Sequence, residues 1–493
     1  MRTLTPIILL VVLLSAAFAP ASGAAAPIDD LDSTQLDGIV AAQMQKHGLP
    51  GVALAVVEGG SIVYLQGYGT AGHGRLMSPQ TQMFIGSQSK SFTALAIAQL
   101  AEQGRLDLDA PVQAYIPWFR VADEDASRTI TISHLLHHTS GLSEAGYGVL
   151  LPPSATPEQA TRSLARAQLT APVGTQHQYF NLGYDVLAYL IQVVSGRPYA
   201  DYLQDNIFAP LGMDDTTADP STARDLAQGY SRLFGFAIPM RQIVRDYEIG
   251  AGYIVSTAED LARFAIAVND GGAGPVSPAT MKRMLTPGEG AYGMGWMIVD
   301  GGAKIFHGGA NETFRTDVNL YPRRDRAFVV LTNEGHQIDH FVSASQLAGS
   351  VEAAVLGRAA PPASQGLSVC WIGWGLGVLV LALIVLHTRN FLALRTWSKR
   401  ARKLSTTRRA LDVALSFLIP AIILVVVLSQ LKSFYGYRFN LVTTLAYFRL
   451  SLPDVFILMV IGTVPDLVQG ITKLILWGKS KGSPPGAAPA EAL

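Results

Sequence analysis

One cysteine, Cys370, occurs in 493 residues. That excludes an internal disulfide and a Cys-based metal site, and leaves the compartment to be read from other segments. Charge is also scarce. Asp, Glu, Lys and Arg make up 15% of the chain against 49% hydrophobic residues, and the mean hydropathy is +0.28. So much apolar surface excludes disorder as the dominant state. The same balance argues against a purely soluble protein. Net charge is absent, with 37 Lys+Arg and 37 Asp+Glu, but the zero hides a split. From Gly366 onward there are 14 basic and 4 acidic residues, whereas the first 365 residues carry 23 and 33. An acidic body argues against nucleic acid as a partner, and a basic, apolar tail suggests membrane lipid. Internal repeats are missing. So is the His-Glu-x-x-His arrangement: His134 and His138 have i,i+4 spacing, but no Glu lies between them and no third ligand is evident. Neither a metal nor a cofactor is expected.

The start of the chain speaks to the compartment. Arg2 precedes an apolar run, Ile7–Ala19, followed by the small residues Ala21–Ala26. A short positive region, an apolar core and a small-residue exit make a secretory signal over residues 1–26. The other reading is an uncleaved anchor. The apolar run is shorter than the roughly 20 residues that span a bilayer. Either way, the body of the protein is exported.

Three apolar segments occupy the tail after a Pro/Ala-rich linker at 358–366. Leu367–His387 has no Asp, Glu, Lys or Arg, Leu411–Leu431 has only Asp412, and Pro453–Trp477 is the weakest, with Asp466 at its centre. Eight basic residues between the first two, Arg389 to Arg409, place that loop in the cytoplasm. This agrees with an exported amino-terminal body and gives a multi-pass protein of the cell membrane, with a short cytoplasmic tail at 479–493. Asp466 is a functional candidate by its depth, or else pairs with a polar neighbour. Phe434, Tyr435, Tyr437 and Arg438 read as an interfacial belt.

In the body, the apolar spacing predicts a helix over Thr34–Lys46, capped at Asp32 or Ser33. Val52–Glu58 and Ser61–Gly67 read as a hairpin turning at Gly59-Gly60. A helix follows over Ser89–Gln103. The middle, to about Asp270, reads mainly as helices and long loops. Strand signals return at Trp296–Val299, Ala303–His307, Thr316–Tyr321 and Ala327–Thr332. Strands at both ends of a helical middle predict an α+β fold whose sheet is assembled from both termini.

Ser87-Gln88-Ser89-Lys90 opens the helix predicted at Ser89. A serine hydroxyl needs a base to attack a carbonyl. Residues three apart on a helix share a face, so Lys90 lies beside Ser87. Tyr179-Phe180-Asn181 precedes a helical run, and His307-Gly308-Gly309 closes a predicted strand. With these three elements in this order, the chain resembles the serine penicillin-recognising enzymes. Within them it is most similar to the branch of class C β-lactamases, D,D-carboxypeptidases, D-aminopeptidases and related esterases. Ser133–Leu142 (SHLLHHTSGL), Gly250–Phe264 and Tyr292–Trp296 (YGMGW) also look like segments of that branch. The resemblance covers residues 28–357 and implies a β-lactamase-like fold followed by an all-α transmembrane region.

It also implies roles. Ser87 would form an acyl-enzyme, while Lys90 and Tyr179 handle its proton and Tyr179 helps to activate the deacylating water. Asn181 would hydrogen-bond the amide side of a small-molecule or peptide substrate. The amides of Ser87 and Ala310 would form the oxyanion hole, beside a strand edge kept bare by Gly308 and Gly309. The chain departs from the pattern at His307, where many relatives carry Lys. That weakens a β-lactamase reading, because His is mostly neutral at pH 7. Arg315 either replaces the lost charge or is a surface arginine. The function expected is a membrane-anchored, extracytoplasmic serine hydrolase of amide or ester bonds. The alternatives are a β-lactam-acylated sensor and a prodrug-activating peptidase of a nonribosomal-peptide pathway, whose plan of catalytic domain plus three membrane helices is similar.

Overall fold

The computed structural model describes residues 32–272, 274–360, 367–435, 445, 448–450 and 452–481. The expected signal segment, most of the linker, Tyr437 and Arg438 lie outside them.

The first helix, α1 (Ser33–His47), is capped by Asp32, whose carboxylate accepts from Thr34 N at 2.9 Å and Gln35 N at 3.3 Å. It stops at Gly48, which takes a left-handed φ of 62°. Strands β1 (Gly51–Glu58), β2 (Ser61–Gly72) and β3 (Arg75–Leu76) come next, then a short β4 (Met83–Phe84) and helix α2 (Ser89–Glu102). Helices dominate the middle, including α3 (Asn181–Ser195) and α4 (Ala258–Asn269). The middle also holds β5 (Tyr230–Leu233), β6 (Phe236–Pro239) and β7 (Val255–Ser256). The β5–β6 hairpin is a correction to a middle read as helix and loop. Its strands are four residues each and turn at Phe234-Gly235, too short for an alternating pattern to register. Strands β8 (Met297–Val299), β9 (Lys304–Ala310), β10 (Arg315–Tyr321) and β11 (Arg326–Thr332) then lead into α5 (Ser345–Val355).

The main sheet is antiparallel, in the order β3-β2-β1-β11-β10-β9-β8. Its halves come from the two ends of the body and meet where β1 pairs with β11, Val52 opposite Thr332 and Glu58 opposite Arg326. Strand side chains alternate between faces. Along β1, Ala53, Ala55 and Val57 enter the large core with Leu261, Phe264 and Val268 of α4. Val52, Leu54 and Val56 enter a second core with Leu36 and Val40 of α1 and Leu347, Val351 and Val355 of α5. Burial on both faces explains why β1 reads as a continuous apolar run. Each fully buried Val or Leu contributes roughly 1.5–3 kcal/mol. The result is a three-layer body with the sheet in the middle.

Beyond the body run α6 (Val369–Leu394), α7 (Thr406–Tyr435) and α8 (Pro453–Lys481). Among the described residues, α6 and α8 are long and apolar enough to cross a membrane. Asp466 of α8 lies 3.3 Å from His387 Nδ1 of α6, a pairing with a polar neighbour. The body meets α6 through its own hairpin. A Cβ on Gly373 would fall 2.1 Å from Gly235 N, so the helix and the turn touch backbone to backbone. Under this contact, Arg232 and Glu334 form an ion pair at 2.5 Å, with side chains 1% and 0% exposed.

Candidate active site

Strand β4 pairs with β7 and delivers the chain to Gly86, from which a 3-10 turn, Gly86–Gln88, runs into α2. Gly86 has a left-handed φ of 54°, and a Cβ there would sit 2.3 Å from Ala310 N. From Thr81 to Leu100 only Ser87 is not buried. The turn therefore raises one hydroxyl out of an otherwise sealed segment. Ser89, two residues on, is buried, and its Oγ accepts from Ile254 N at 3.1 Å.

Lys90 lies one helical turn behind Ser87 with 0% exposure. Its Nζ donates to Ser87 Oγ at 3.1 Å, to Asn181 Oδ1 at 2.8 Å and to the Ala251 carbonyl at 2.7 Å. Three acceptors match the three N–H bonds of an ammonium. A neutral amine has two N–H bonds and one lone pair. The Ala251 carbonyl can only accept, and the Asn181 amide is turned so that its oxygen faces Lys90. The two N–H bonds go there, and the lone pair falls on Ser87 Oγ. That is the arrangement a general base requires.

Asn181 opens α3. Its Nδ2 and its backbone N–H both donate to Glu144 Oε1, each at 3.2 Å. Its Oδ1 is thus taken by Lys90 and one Nδ2 hydrogen by Glu144, leaving the second Nδ2 hydrogen for the expected contact with a substrate. Tyr179, 37% exposed, lies two residues earlier. Its ring centroid is 4.9 Å from Lys90 Nζ and 4.4 Å from the ring of His138.

Strand β9 runs against the serine turn. A Cβ on Gly309 would meet Ile85 O at 1.9 Å and Ser87 N at 3.2 Å. Only glycine permits this approach, which brings the ends of the Ser87 turn and the Gly309-Ala310 strand together. His307, on the same strand, is buried. Its Nδ1 lies 2.7 Å from the Gly308 carbonyl, which can only accept, so Nδ1 carries the proton. Its Nε2 then accepts from the Tyr292 hydroxyl at 2.9 Å. Burial, then the nearby Lys90 charge, pushes its pKa down to about 3. His307 therefore stays uncharged through mild acid.

Arg315 is 3% exposed, so it is not a surface arginine. One Nη donates to the carbonyls of Asn311 and Phe314, the other to those of Gly335 and His336. It braces the start of β10 opposite Ala310.

The histidines of SHLLHHTSGL separate. Their helix ends at Leu136 and His138 takes a φ of 56°, so His134 and His138, despite their i,i+4 spacing, share no helical face. His134 caps its own helix by accepting from Thr131 N at 3.1 Å, whereas His138 accepts from Phe180 N at 3.2 Å. With its Nδ1 an acceptor, His138 is a neutral imidazole. Burial, with Lys90 beside it, holds its pKa well below the usual range.

Glu144 and the roles of Tyr292, His138 and Ala251 escaped the sequence reading. The last three lie in segments flagged by resemblance, but nothing gave them individual tasks. Glu144 sits two residues past its flagged segment, without a pattern of its own.

The family model "Beta-lactamase" matches residues 36–353 of this chain. Protein flp of Staphylococcus aureus (strain MW2) is 28% identical over 320 residues, covering 61% of this chain and 62% of that protein. The putative penicillin-binding protein PbpX of Bacillus subtilis (strain 168) is 32% identical over 270 residues, covering 52% and 64%. The chain thus spans less than two thirds of the length of these relatives. Among solved structures, an octameric penicillin-binding protein homologue from Pyrococcus abyssi superposes with a TM-score of 0.59 at 27% identity, covering 71% of this chain and 81% of its own.

Proposed function

This chain belongs to the beta-lactamase family of serine hydrolases, and from that premise we propose that it is a membrane-anchored, extracytoplasmic acyl-transfer hydrolase of neutral amides or esters. The carrying observation is the buried Lys90 Nζ, 3.1 Å from Ser87 Oγ and held by two further acceptors. In acylation, Ser87 Oγ bonds to the substrate carbonyl carbon as its proton passes to Lys90 Nζ. The carbonyl oxygen gains negative charge and lies between the amides of Ser87 and Ala310. The bond to the leaving amine or alcohol breaks, and that group takes a proton relayed through Tyr179. Water then bonds to the acyl carbon and yields a proton to the Tyr179–Lys90 pair; the bond to Ser87 Oγ breaks as that proton returns to it, which releases a carboxylic acid.

The preference for neutral substrates follows from the strand beside this oxygen. His307 is uncharged, and the Arg315 guanidinium is engaged with main-chain carbonyls, so a substrate carboxylate finds no dedicated cation there. A panel of nitrocefin, p-nitrophenyl esters, D-aminoacyl anilides and N-acyl-D-Asn peptides, with Ser87→Ala as blank, tests this. Esters or amides are expected to turn over faster than nitrocefin. Nitrocefin exceeding every other substrate would contradict it.

The membrane part of the proposal draws on α6 and α8 and on the basic stretch between α6 and α7. One observation favours a second reading, the β-lactam sensor. Asp454, at the start of α8, lies 3.3 Å from His336, whose carbonyl accepts from Arg315 next to the oxyanion strand. An acyl-enzyme that persists for hours with a β-lactam would favour that reading over the hydrolase.

A further inference from the structure

The Ser87–Lys90 pair continues past Asn181. Glu144 Oε1 accepts both from Asn181 Nδ2 and from Asn181 N. An amide carries a donor end and an acceptor end, and a carboxylate fixes which way it points. With Nδ2 on Glu144, Oδ1 must face Lys90, as it does at 2.8 Å. Were the amide turned over, its NH₂ would meet the Lys90 N–H bonds. The amine's lone pair would then be drawn to Asn181 and away from Ser87.

We propose that Glu144 is a positioning residue of this site, which locks the Asn181 amide and through it aims the lone pair of Lys90 at Ser87. The inference rests on the acyl-transfer reading of Ser87 and Lys90, and adds a fourth member to their chain. Glu144 belongs to a 3-10 turn, Glu144–Gly146, outside the three motif elements. It also places a carboxylate near the ammonium that forms on Lys90 as the serine proton arrives.

The charge of Glu144 is adjustable. Burial pushes its carboxyl up to about 7, the N–H of Asn181 opposes this, Glu248 adds to it, and Lys90 opposes it. Asp185 and Tyr147 also sense its charge, and Arg245 stands behind Glu248 at 3.7 Å. Ionised Glu144 locks the amide and favours the ammonium that develops in acylation. The acylation rate should therefore rise as pH climbs through about 7.

The test compares acylation of the full-length protein in detergent by a fluorophosphonate and by a p-nitrophenyl ester, from pH 5.5 to 9. Glu144→Ala should acylate about ten- to a hundredfold more slowly, as expected for a mispositioned base. Glu144→Gln keeps an acceptor for Asn181 and should recover most of that rate. It should also lose the step near pH 7. KM for the ester should change little in either variant. Should Glu144→Ala fail to fold, the pH profile of Glu144→Gln decides alone. A wild-type rate in Glu144→Ala, or an unchanged profile in Glu144→Gln, overturns the proposal. Absence of Ser87 labelling in the wild type would instead overturn the acyl-transfer reading beneath it.

Discussion

Tyr292 and His307 are joined by a hydrogen bond of 2.9 Å, in which the tyrosine hydroxyl donates to Nε2 of the imidazole. The bond makes His307 a neutral acceptor at the position where the motif resemblance led to the expectation of a lysine. Its Nδ1 is occupied by the Gly308 carbonyl, so neither nitrogen is available to a substrate carboxylate without rearrangement.

Selectivity should therefore be insensitive to mild acid. The ratio of nitrocefin to ester turnover is expected to stay within about twofold between pH 5.5 and 7.5, because His307 charges only near pH 3. A rise of tenfold at the acid end would show that His307 charges in that window. His307→Lys should move the ratio toward nitrocefin by about ten- to a hundredfold. That corresponds to a charge-assisted hydrogen bond of roughly 1.5–3 kcal/mol.

Stability carries the opposite signature. The folded pKa of His307 is depressed, so the unfolded chain binds its proton first. Its contribution is full above the unfolded value of 6.5 and is lost as pH falls from there toward about 3. Urea midpoints should fall between pH 7 and pH 4.5, and fall less in His307→Gln. Equal slopes in the two proteins would remove His307 from the account.

Much of this body was legible in its sequence, for reasons visible in particular elements. The late strands and the first hairpin carry long enough patterns to place within a few residues. Ser87 and Lys90 were legible because three positions on a helix fix a shared face. The β5–β6 hairpin was not, since four-residue strands carry no period. Nor was the pairing of Arg232 with Glu334, which lie about a hundred positions apart and meet only through the fold. Arg315 misled for a similar reason: its four carbonyl partners come from two separate loops.

Gly309 is expected to tolerate nothing larger. Gly309→Ala would bring a Cβ within 1.9 Å of the Ile85 carbonyl, forcing β9 away from the serine turn. Acylation should fall on the order of 10²-fold or more, as for loss of an oxyanion donor. Rates within threefold of wild type would argue against the Ala310 amide as a donor.

The junction with α6 should depend on its buried ion pair. Removing one partner of such a pair costs about 3–5 kcal/mol. Arg232→Met should therefore lower the Tm of the detergent-solubilised protein by several degrees, and Arg232→Met with Glu334→Leu should recover part of it. An unchanged Tm in the single variant would show that Glu334 is satisfied by other groups.

The central claim is that Ser87 alone becomes acylated, with Lys90 as its base. Intact-mass analysis after exposure to a fluorophosphonate tests it most directly. The wild type should gain a single adduct that peptide mapping places on Ser87. Ser89→Ala should label as wild type does, because Ser89 Oγ is buried against Ile254 N. Lys90→Ala should slow labelling on the order of 10²-fold or more, and Ser87→Ala should not label at all. An adduct of equal yield on the Ser87→Ala protein would contradict the account.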